Sequence, residues 1–166
     1  MNERSRRIAT RPVDGFTLVE LLMTLAIMGV LVLISVPSAQ IAVQREKETE
    51  LRRSLFQIRE ALDAYKRAAD QGRISVQARE SGYPPSLDEL TVGVPDLRSL
   101  TRKNLYFLRS LPKDPFFASP SASASGTWGL RSYASPADEP EAGVDVFDIF
   151  SKSDKTGLNG VPYRKW

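Results

Sequence analysis

One carboxylate in this chain stands where a carboxylate is costly. Glu20 lies within the stretch Phe16 to Val36, FTLVELLMTLAIMGVLVLISV, which carries no other charged residue. On insertion scales an ionised carboxylate at the centre of a membrane helix costs about 2.5–3.5 kcal/mol. The cost is smaller near an end, where Glu20 sits, but a partner is still required. No lysine or arginine lies within two helical turns on either side. A cut after Gly15 would create one, the new ammonium of Phe16, on the same copy or on a neighbour. The chemistry on offer is ion pairing. Turnover is poorly provided for, because the chain has no histidine and no cysteine. Ser-His-Asp and Cys-His nucleophiles are therefore excluded, and so are zinc sites of the usual Cys/His kind and disulfides. Pairs of Asp and Glu exist, as they do in any domain of this size, so a membrane-anchored periplasmic enzyme is the weakest of the readings.

The elements that must place Glu20 come next. Twenty-one residues of helix from Phe16 to Val36 reach roughly 30 Å at about 1.5 Å per residue, enough to cross a bilayer core. The run is apolar on every face, unlike an amphipathic surface helix. Arg4, Arg6, Arg7 and Arg11 precede it, which keeps the N-terminus in the cytoplasm and sends the body to the far side. A secretory signal peptide would have a shorter apolar core and a small-residue cut site after it, and neither is present. An uncleaved signal anchor is the other reading of these residues. The net charge of +3 falls mostly at the front. The body beyond residue 15 is close to neutral and offers no broad cationic field for nucleic acid.

After Pro37 the helix is expected to resume. Leu51, Leu55, Ile58, Leu62 and Tyr65 follow i, i+4, i+7, i+11, i+14 spacing, one apolar stripe that packs on the body of the same chain. Gly72 is placed to cap its end. The alternating charges from Arg45 to Arg53 read first as a solvated face with small local pair energies, and second as a surface that pairs between subunits. Residues 73–82 read as loop, and Ser86-Leu87-Asp88-Glu89 has the S-x-x-E pattern of a capping box for a short helix. Residues 118–125 are a small-residue tract that reads as a loop. Two short strands are expected, around residues 127–133 and 144–150, forming a small antiparallel sheet against the helix. The fold class is α+β: a long N-terminal hydrophobic helix as a spine, packed on a small antiparallel head. The expected segments are 1–15, 16–37 (the membrane and assembly helix), 38–72 (the amphipathic stalk) and 73–166 (the head).

Gly15-Phe16-Thr17-Leu18-Val19-Glu20 resembles the signal of prepilins: a short basic leader, a glycine, then phenylalanine with glutamate at the fifth mature position. Gly29 and Pro37 sit where pilin N-terminal helices carry helix-weakening residues. The resemblance to the type IV pilin superfamily implies a mechanism. A prepilin peptidase cuts after Gly15 and methylates the Phe16 amine. Subunits wait in the bacterial inner membrane, single-pass, with the N-terminus cytoplasmic and the head periplasmic. An assembly platform and a cytoplasmic ATPase then draw them into a helical filament of identical copies, in which Glu20 pairs with a neighbour's amine.

Along the rest of the chain, YPPSLDEL, LPKDPF, an aromatic-bearing strand, DIFSKSD and a terminal tryptophan resemble the major (G-type) pseudopilin of type II secretion systems. This implies a structural, non-enzymatic subunit of a periplasmic pseudopilus that helps drive protein export, with minor pseudopilins as further partners and no nucleic acid. The alternative is a type IV pilus pilin serving adhesion, motility or DNA uptake; such pilins more often close their C-terminal region with a cysteine pair, absent here. LPKDPF lacks the glycine that usually follows it in the family, and an Ala/Ser-rich insertion takes its place. The resemblance also implies calcium in the loop Ser151–Gly160, with Asp154, Asn159 and Ser151 as the side-chain ligands. Here Asn159 replaces the family's second aspartate, and Lys152 and Lys155 flank Asp154. The same residues also read as a glycine-rich turn held by Asp and Asn hydrogen bonds.

Overall fold

The computed structural model describes residues 15–76, 81–101, 103–119 and 121–166, without the side chains of residues 33–39. Of the expected leader only Gly15 falls within that range, and the side chain of Pro37 falls outside it.

Helix α1 runs from Leu18 to Asp70. Thr17 starts it: its Oγ1 accepts the Glu20 N–H at 3.2 Å, and its carbonyl accepts the Leu21 N–H at 3.1 Å. Gly72 ends it with φ of 67°. The Gly72 N–H donates to the Ala69 carbonyl and the Arg73 N–H to the Ala68 carbonyl, the paired bonds of a Schellman cap. Glycine suits that position because its backbone is left-handed there.

The chain divides into two compact units, residues 1–42 and 43–166, and α1 contributes to both. In the first unit every described side chain from Phe16 to Val32 is exposed, among them Phe16, Leu18, Met23 and Met28. Among the described residues no helix is long and apolar enough to cross a membrane.

In the second unit α1 buries one face. Leu51, Leu55, Ile58, Leu62 and Tyr65 are all buried, joined by Ala61, Ala68 and Ala69. Against that stripe pack Ile74, Leu87, Leu90, Leu108, Trp128, Val146, Ile149 and Tyr163. Fully burying one leucine or isoleucine contributes about 1.5–3 kcal/mol.

Among the described residues four short strands pair two by two. Val94–Pro95 (β1) pairs antiparallel with Asn104–Leu105 (β2), and Trp128–Arg131 (β3) with Asp148–Ser151 (β4). In the second pair Trp128 faces Ser151 and Gly129 faces Phe150. A two-stranded pair is marginal alone, so both depend on the core, to which Trp128 and Ile149 belong and against which Val94 and Leu105 pack. The Phe150 ring lies over Gly129, where an added Cβ would sit 2.2 Å from a ring carbon.

Three expectations need correction. The described head holds two small two-stranded sheets rather than one. Strand β4 starts at Asp148 instead of residue 144, because Asp145 turns its carboxylate to the Ser132 hydroxyl and the Tyr133 N–H, at 2.6 and 2.9 Å. The capping box at Ser86 does not form: the short helix α2 begins at Glu89, and its N-cap Asp88 makes no side-chain cap bond. Glu89 accepts the buried Tyr65 hydroxyl at 3.2 Å instead, which ties α2 to α1.

Candidate functional site

The first described residues lead directly into the start of α1. Gly15, Phe16 and Thr17 are non-helical and exposed, with Phe16 at 82% exposure. With Thr17 as N-cap, Glu20 is the third residue of the helix, so the T-x-x-E spacing places it in the first turn. A carboxylate there is favoured by the positive end of the helix dipole, by about 0.3–1 kcal/mol. A cut after Gly15 would leave the Phe16 ammonium one residue ahead of the cap. The dipole disfavours a cation at that end of the helix, which makes a carboxylate in the first turn its natural counter-ion. Thr24, inside the apolar run, satisfies its hydroxyl on the Leu21 carbonyl at 2.9 Å. Gly29 has open space around it, with nothing within 4 Å of an added Cβ. It lies nine residues past Glu20, roughly 14 Å along the helix.

The C-terminal loop is held on α1 by Glu48, a carboxylate within the charged run from Arg45 to Arg53. Glu48 is only 8% exposed. Its Oε1 accepts the Leu158 N–H at 2.8 Å, the Tyr163 hydroxyl at 2.9 Å and the Gln44 amide at 3.2 Å. Burial pushes this carboxyl up; the bonds from Leu158, Tyr163 and Gln44, with Arg52 nearby, outweigh it and hold it below the usual glutamate value. Tyr163 is fully buried and stacks on Phe116 at 4.1 Å. Glu48 precedes Leu51 by three residues, and that spacing on the apolar stripe was the available signal for its burial.

Asp114 in LPKDPF is a second buried carboxylate, 3% exposed. It accepts the Phe116 N–H at 2.8 Å and the Ser151 hydroxyl at 2.6 Å, so this turn is fastened to β4.

The three residues named for calcium do not share one state. Ser151 has no exposed surface, and its hydroxyl is given to Asp114. The Asn159 Oδ1 accepts the Val161 N–H at 3.0 Å, in the turn that Gly157 closes with Val161 and Gly160. Asp154 is exposed. Calcium takes six to eight oxygens, so Asp154 and the remaining lone pair of Asn159 would need loop carbonyls and water to complete a shell. Among the described residues no group of three or more acidic, histidine or cysteine side chains gathers.

Residues 11–36 match the family model described as a prokaryotic N-terminal methylation motif. The match takes in Gly15, Phe16, Glu20, Gly29 and the apolar run, and leaves the body uncovered. No curated protein and no solved structure matches the chain. The motif is prepilin-type and supports a type IV pilin-like protein with a structural role, anchored in a membrane and assembled into filaments after processing by a prepilin peptidase.

Proposed function

We propose that this chain is a structural subunit of a type II secretion pseudopilus, polymerising from the inner membrane into the periplasm to help drive folded proteins through the outer membrane. The observation that carries the reading is the first unit. A methylation motif sits in register with a capped helix start, and the helix that follows exposes apolar side chains all round. Apolar surface of that extent marks a membrane or protein contact. Lipid covers it before assembly, and neighbouring copies cover it afterwards.

In the filament Glu20 faces the methylated amine of an adjacent Phe16, which replaces a lone buried charge with a pair. The assembly platform and the cytoplasmic ATPase extract subunits, and minor pseudopilins start or cap the polymer. Calcium belongs to this proposal at Asp154, Asn159 and loop carbonyls, with Ser151 left to Asp114.

The test is the intact mass and N-terminal sequence of the protein purified from membranes of its own host. A chain starting at methylated Phe16 is expected. A chain still starting at Met1 in cells with an active peptidase overturns the reading. A deletion strain then separates the two filament types: lost secretion supports a pseudopilus, whereas lost motility or transformation with secretion intact points to a type IV pilus.

A further inference from the structure

We infer that the second unit carries a head-to-tail contact between copies, in which a basic, aromatic groove beside Trp166 receives the acidic loop of residues 134–144 from the next subunit. The inference rests on the filament reading above and specifies how the bodies meet.

The groove encloses about 350 Å³ between α1 and the C-terminal loop, with Phe56, Val161 and Trp166 as apolar walls and Arg52 and Lys165 at its rim. No acidic side chain lines it among the described residues. Phe56 is 71% exposed, although it follows directly on the buried Leu55 and lies within the turns that bury Leu51, Ile58 and Leu62. Its exposure is not compensated within the copy. The Arg52 guanidinium lies 4.4 Å from the Trp166 ring centre and forms no ion pair among the described residues. Aromatic and arginine side chains side by side, open to solvent, are the composition of interface anchors.

The loop has the opposite character. Residues 134–144 include Asp138, Glu139 and Glu141 and no cation, and Val144 is 87% exposed. The loop is ordered from within. The Ser135 hydroxyl donates to the Glu139 carbonyl at 3.0 Å and accepts the Glu141 N–H at 2.8 Å. Its two ends are tied where Asp145 accepts from Ser132 and Tyr133. None of the three carboxylates is in an ion pair among the described residues.

The two patches therefore complement each other in charge and in apolar content, yet do not satisfy each other within one copy. The loop base at Tyr133 stacks on Tyr83, whose neighbour Gly82 lies against Lys66. Lys66 is ten residues past Phe56 on α1, roughly 15 Å along the axis. A contact between two different patches is heterologous, and when its rotation does not close it generates an open helical filament.

The chain's lack of cysteine makes the test direct. Full-length Phe56→Cys and Glu141→Cys chains are co-expressed with the prepilin peptidase, and sheared filaments are treated with a short bismaleimide. A cross-link between the two variants is expected, with none in filaments of either variant alone. Arg52→Glu with Lys165→Glu in the groove-bearing chain should cut the yield roughly tenfold, and Asp138→Lys with Glu139→Lys in its partner should restore it. Filaments that form without the cross-link, or whose yield ignores the charge reversal, overturn the contact and leave the proposed function standing. Unprocessed chains that form no filament overturn both.

Discussion

Removing the Glu48 side chain should loosen the C-terminal loop more than any single exposed charge could. Glu48→Ala takes away one oxygen that accepts three hydrogen bonds, from Leu158, Tyr163 and Gln44. Hydrogen bonds to a charged acceptor contribute about 1.5–3 kcal/mol each, and a buried donor left alone costs about 1–3 kcal/mol. The Tyr163 hydroxyl is such a donor, whereas Gln44 and Leu158 can turn partly to water. The expected loss is therefore about 3–4 kcal/mol rather than the full sum. In a unit of this size, that corresponds to a fall in Tm of roughly 10–15 °C. Glu48→Gln keeps an accepting oxygen and removes only the charge, so about 1–1.5 kcal/mol is expected. Tyr163→Phe removes one partner, and its effect should not add to that of Glu48→Ala, because the same bond is lost twice. The assay is thermal unfolding of the detergent-solubilised full chain, followed by near-UV circular dichroism. Trp166 packs edge-on to Tyr163 at 5.0 Å and reports the loop. A Glu48→Ala loss below about 1 kcal/mol, or equal losses for the Ala and Gln variants, would refute the reasoning, since the carboxylate would then not be the acceptor that matters.

The remaining predictions concern pH, assembly, packing and calcium. Glu48 is held below its ordinary value, so its contribution is present above the unfolded carboxylate range and is lost as pH falls through the folded value. Acid melts should show Glu48→Gln losing less stability than the parent on the way down, and parallel curves would remove the assignment. Glu20→Val should enter the membrane and be processed but yield no filaments; normal filaments from that variant would end its role in pairing. Gly129→Ala should cost about 1–3 kcal/mol by pressing a methyl against the Phe150 ring, read as a lower denaturant midpoint with unchanged slope. Calcium at millimolar concentration should raise Tm, and Asp154→Asn should abolish the rise; no rise in the parent removes calcium from the proposal.

The sequence alone determines what depends on neighbours along the chain. The stripe from Leu51 to Tyr65 followed from helical periodicity, and the structure buries all five positions. Gly72 followed from the need for a left-handed residue at a helix end, and it has that backbone. The motif match over residues 11–36 was legible because glycine, phenylalanine, glutamate and apolar run are adjacent in sequence. Thr17 was legible in principle and passed over, although its cap uses only residues 17–20.

Other features depend on residues far apart in sequence. Glu48 looks like one more charge in a charged run, and only the return of the chain 110 residues later brings Leu158 onto it. Asp114 and Ser151, 37 residues apart, became one buried pair. Glu89, set in a capping pattern, went to Tyr65 because a buried hydroxyl must find an acceptor. Local pattern determines which backbone a segment can adopt. Which polar group it must satisfy is decided by what tertiary packing buries beside it, and a buried donor left alone costs more than the local bond it displaces.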